Sequence, residues 1–75
     1  MAKIQIEGLN HRQRAIADVL WLMNGKEDVE AFIKALHPSM RAEAEVVVDM
    51  MIMACLDECN AVDEAKIELD RIAKL

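Results

Sequence analysis

From residue 39 to residue 75 the chain contains neither glycine nor proline, the two residues that most often interrupt a helix. One apolar stripe runs through the segment: Met40, Ala44, Val47, Met51 and Cys55, then Val62, Ala65, Leu69 and Ile72. Its steps are three or four residues, with one jump of seven between Cys55 and Val62 that preserves the helical phase. The pattern predicts one helix over 38–75, roughly 55 Å long at a rise of 1.5 Å per residue. The competing reading breaks it near Asn60, which would then cap a last helix.

The first half is punctuated more clearly. Asn10 is a favoured N-cap, and Gln13 follows at capping-box spacing. A first helix is expected over 11–24, with Ile16, Val19, Leu20 and Met23 on its core face and Trp21 and Leu22 beside them. Gly25 is expected to end it in the left-handed conformation. Val29, Phe32, Ile33 and Leu36 repeat the i, i+3, i+4, i+7 template, which predicts a second helix over 27–36. Glu27 and Asp28 lie in its first turn, where the helix dipole favours negative charge. The short Asn24-Gly25-Lys26 link makes the two a helical hairpin. Pro38 disfavours a helical His37 and suits the first position of the next helix.

Before Gly8, residues 3–7 (KIQIE) alternate polar and apolar as a short strand would, with Ile4 and Ile6 on one face. A strand cannot stand alone, so this one would pair across a homodimer; the alternative is a frayed arm. The expected fold is therefore all-α and one domain: a helical hairpin packed on one long C-terminal helix, with an N-terminal strand or arm over 1–9.

Such a helix would outreach a 75-residue globule, whose radius of gyration is about 11 Å. The stretch VVVDMMIMACLDEC, residues 46–59, sharpens the problem. Val46, Met50 and Met53 point away from the stripe, and a helix apolar nearly all round is buried nearly all round. The expectation is a second copy of the chain, with Val46, Val47, Met50, Met51, Met53, Val62, Leu69 and Ile72 at the interface.

Composition narrows the function. The longest apolar run, residues 50–56, falls far short of the about 20 needed to span a membrane. The opening MAKIQIEG has no apolar leader segment, and two cysteines then suggest a reducing cytoplasm. The net charge of −5 resides wholly in residues 39–75, since residues 1–38 sum to zero. An acidic half argues against wrapping nucleic acid and suits a basic partner. The candidate partner surfaces are the Trp21–Leu22 edge and an acidic face of Asp63, Glu64, Glu68 and Asp70. His11, Arg12 and Arg14 give the first helix a basic start, which reads as a solvated helix end or as a contact for a phosphate or an acidic partner.

Cys55 and Cys59 are spaced i, i+4. On one helix their Cβ atoms would lie about 5–6 Å apart, too far to bridge. They could offer two thiolates to a metal with His11 or His37, but neither histidine has zinc-motif spacing. Buried free thiols are the plainer reading. Met50, Met51 and Met53 read as core filler, as a pliable groove, or as soft ligands for Cu(I). No nucleophile triad, glycine-rich phosphate loop or H-E-x-x-H motif occurs. The expected function is non-enzymatic binding, without a cofactor.

Two resemblances add to this. The order strand, helix, glycine turn, helix over residues 3–36 resembles the ribbon-helix-helix DNA-binding family. That likeness implies strands paired across a dimer in the major groove, with Lys3, Gln5 and Glu7 facing the bases; Arg12 and Arg14 would contact DNA alongside them. The stretches LNHRQRAIADVLW, EDVEAFIKAL and RAEAEVVVDMM resemble small uncharacterised helical proteins of bacteriophages, including phages of marine bacteria. This implies a host or phage protein as partner, met in the host cytoplasm.

Overall fold

A computed structural model of the chain describes residues 6–23, 25–56 and 58–75. They form four helices: α1 (His11–Leu22), α2 (Lys26–Ala35), α3 (Pro38–Met53) and α4 (Asn60–Ala73). The protein is all-α among the described residues.

The N-terminal signals act as local chemistry requires. Gln13 N donates to Asn10 Oδ1 (2.8 Å) and Asn10 N donates to Gln13 Oε1 (3.0 Å), which closes a capping box at the start of α1. Pro38 opens α3, and its N-cap His37 accepts the Ser39 N–H through Nδ1 (3.2 Å).

Gly25 behaves differently from the expectation. The last turn of α1 closes at Met23, whose extended backbone donates to Leu20 O. Gly25 is itself extended (φ −108°) and is the N-cap of α2. The glycine that needs its freedom is Gly8, at φ +90°.

The proposed strand largely lies outside the described residues, which begin at Ile6. Ile6 and Glu7 belong to an irregular segment and a turn, and no strand occurs among the described residues. Ile6 is buried, and Arg14 Nη2 donates to its carbonyl (3.4 Å), which ties Ile6 to α1.

The single long helix is not formed. It stops at Met53 and restarts at Asn60. Cys55 adopts φ +65°, Leu56 N donates to Met51 O (3.0 Å) and Cys55 N donates to Ile52 O (3.0 Å). These are the two bonds of a Schellman motif, made here with cysteine in the left-handed position that glycine usually fills. Leu56 then lies against the core. Cys59, rather than Asn60, is the N-cap of α4.

With the break, α4 folds back beside α3. α1 packs mainly on α3 and α2 mainly on α4. The expected hairpin is thus open, its two helices seated on different partners more than on each other. The longest dimension is 34 Å, too short for a 55 Å rod.

The core comprises Ile6, Ile16, Ala17, Leu20, Val29, Ile33, Ala44, Val47, Val48, Met51, Ala61, Val62, Ala65 and Leu69. Val47, Met51, Val62 and Leu69 therefore cannot serve as the interface between copies that the sequence suggested. The folded-back α4 brings the second layer that the apolar segment needs. Alanine recurs where the helices meet, with Ala17, Ala44 and Ala65 fully buried.

Candidate functional site

Between α1 and α2 lies an uncovered apolar groove. At one end Val19, Leu22 and Met23 face Asp28, Ala31 and Phe32 around a space of ≈ 470 Å³. Val19 and Phe32 continue into a second space of ≈ 210 Å³, also lined by Arg12, Ala15, Ile16, Leu36 and Met40. The rim is exposed, Leu22 by 57% and Val19 by 38%. The start of α1 thus faces the end of α2, with Arg12 at one end of the groove and Asp28 at the other. Of the groove residues, the sequence singled out Leu22 as a protein-partner contact and Arg12 as a basic contact. Helical periodicity assigns Phe32, Leu36 and Val19 to the core, because it cannot say that two consecutive helices stand apart.

A second apolar strip lies on the outer side of α3. Val46 is 45% exposed and Met53 82% exposed, with half-buried Met50 between them on the same face. Of the eight expected interface residues Val46 and Met53 keep an outward position, while Met50 and Ile72 are half-buried against the core.

The acidic face is smaller than the sequence implies. Asp63 and Asp70 are exposed and Glu64 is half-buried. Lys66 stands among them, with Nζ 3.2 Å from Asp49 and 3.7 Å from Asp70. The hydrogen bond to Asp49, then the charges of Asp49 and Asp70, raise the Lys66 pKa. Glu68 is buried at 4% exposure and is not part of an exposed strip. Arg71 holds its carboxylate in a fork, through Nε (3.1 Å) and Nη2. That hydrogen bonding lowers the Glu68 pKa, while burial pushes it up and the charges of Arg71, Lys34 and Lys26 pull it down further. A charge reversal at Glu68 would therefore disturb the core rather than probe a docking face.

The DNA-contact alternative draws little together. Lys3 and Gln5 lie outside the described residues, Arg12 is exposed at the groove, and Arg14 is engaged with Ile6 O. Arg41 donates to Lys34 O at the end of α2 (3.3 Å).

The thiols are also placed unexpectedly. Cys55 is exposed and Cys59 half-buried, and both line a cleft of ≈ 320 Å³ with Trp21, Leu56 and Glu58. His11 and His37 are exposed at helix starts, and no group of three metal-ligating side chains gathers among the described residues. Met51 is core, Met50 half-buried and Met53 exposed. No helix of the described residues is long and apolar enough to cross a membrane. No protein-family model, curated protein or solved structure matches the chain.

Proposed function

We propose that the protein is a non-enzymatic interaction module that holds an amphipathic helix of another protein in the groove between α1 and α2. The observation that carries this reading is the groove itself, with Leu22 and Val19 exposed at its rim and Phe32, Leu36 and Met40 along its walls. Grooves of this kind take the apolar face of a helix through anchors at i, i+3 or i+4, and i+7. Arg12 and Asp28 at opposite ends would set its direction, favouring an acidic residue near Arg12 and a basic one near Asp28. If the chain is phage-encoded, as its resemblance implies, that partner is a host or phage protein in the host cytoplasm.

The test is a photo-crosslinking amino acid placed at Leu22 in living cells, with the same residue at exposed Asp63 as control. A discrete adduct formed from position 22 and missing from position 63 is the expected result. Identical adducts from both positions, or none from position 22, would reject the groove as the binding surface.

A second reading, self-association, is favoured by a different observation: the Val46, Met50 and Met53 strip on α3. A strip on one helix can pair with its own copy about a two-fold axis.

A further inference from the structure

The cysteine spacing excludes a disulfide only while both residues sit on one helix. They do not. α3 ends at Met53, Cys55 has left the helical conformation at φ +65°, and Cys59 precedes the first residue of α4. Cys59 N donates to Leu56 O (3.1 Å), a turn-type bond that draws the two ends of the connection together. Both cysteines line the same ≈ 320 Å³ cleft. Trp21 forms part of its wall, so the site contains its own optical reporter.

We propose that Cys55 and Cys59 form a redox-active dithiol that closes to an intramolecular disulfide by exchange with a low-molecular-weight disulfide. Exposed Cys55 reacts first: its thiolate attacks one sulfur of the small disulfide, forms a mixed disulfide and releases one small thiolate. Half-buried Cys59 then attacks Cys55 Sγ, the Sγ–Sγ bond forms, and the second small thiolate leaves. The two protons of the protein thiols pass to the two departing thiolates. Two protein thiols are oxidised and one small disulfide is reduced. The product ties the left-handed cap of α3 to the N-cap of α4 and fixes the turn on which the fold-back depends.

The experiment treats the reduced full-length chain with oxidised glutathione and follows intact mass, free thiols and Trp21 fluorescence. The expected product is a monomer lighter by two hydrogens, with no thiol left to alkylate and altered Trp21 emission. Cys59→Ser should stop at a glutathione adduct on Cys55, and Cys55→Ser should react more slowly through the less accessible Cys59. Accumulation of glutathione adducts or covalent dimers by the unmodified sequence, instead of the internal disulfide, would overturn the proposal. Because that outcome is read on the unmodified chain, it does not depend on either variant folding. Phenylarsine oxide supplies an independent arm, since it bridges two thiols within reach of one arsenic. An adduct that resists excess glutathione supports the pairing, and one that glutathione strips away argues against it.

Discussion

Cys55 occupies the one described non-glycine position with positive φ. A side chain there crowds the backbone, at about 1–2 kcal/mol for the left-handed conformation. Glycine would carry no such strain, although it would also widen the unfolded ensemble. Cys55→Gly is therefore expected to stabilise the protein by roughly 1 kcal/mol, read as a higher urea midpoint with unchanged slope. The same substitution removes the exposed thiol.

At the scale of the helix, α4 is held to the core by Val62, Ala65 and Leu69, with Glu68 in the same buried face. Forked hydrogen bonding from Arg71 lowers the Glu68 pKa. A carboxylate whose folded-state pKa is depressed contributes stability that is complete above its unfolded value. That stability is lost as pH falls through the depressed one. The urea midpoint is thus expected to fall as pH drops below the ordinary glutamate range, about 4.3, and Glu68→Gln should flatten that acid limb. An unchanged acid limb in the variant would mean that the pair contributes nothing to folding. The starts of α1 and α3 were legible in the sequence because the Asn10–Gln13 capping box and Pro38 are local chemistry, read within four residues. The end of α3 was not. Its stop is a cysteine doing a glycine's task, and the seven-residue step from Cys55 to Val62 keeps phase through the break. The groove was illegible for a related reason: periodicity reports which face of a helix is apolar, not which neighbour covers it. The usable signal was VVVDMMIMACLDEC, whose surplus of apolar faces required a second layer. Much of that layer is the chain's own α4, so residues assigned to a partner became core.

For the whole molecule, fold-back leaves fewer apolar side chains in need of a second copy, but Val46 and Met53 remain outside. A chain of 75 residues has a small core and small total stability. Any association of folded chains therefore adds visibly to it, because binding the native state alone raises apparent stability by mass action. If the α3 strip pairs two copies, the melting temperature rises with protein concentration, and light scattering gives twice the chain mass at micromolar concentration. Val46→Lys combined with Met53→Lys should abolish both signs while leaving the helical circular dichroism intact, since both side chains lie outside the core. A melting temperature that is flat across a hundredfold concentration range would remove self-association. The α3 strip would then be ordinary exposed surface, and the α1–α2 groove would be left as the proposed binding surface.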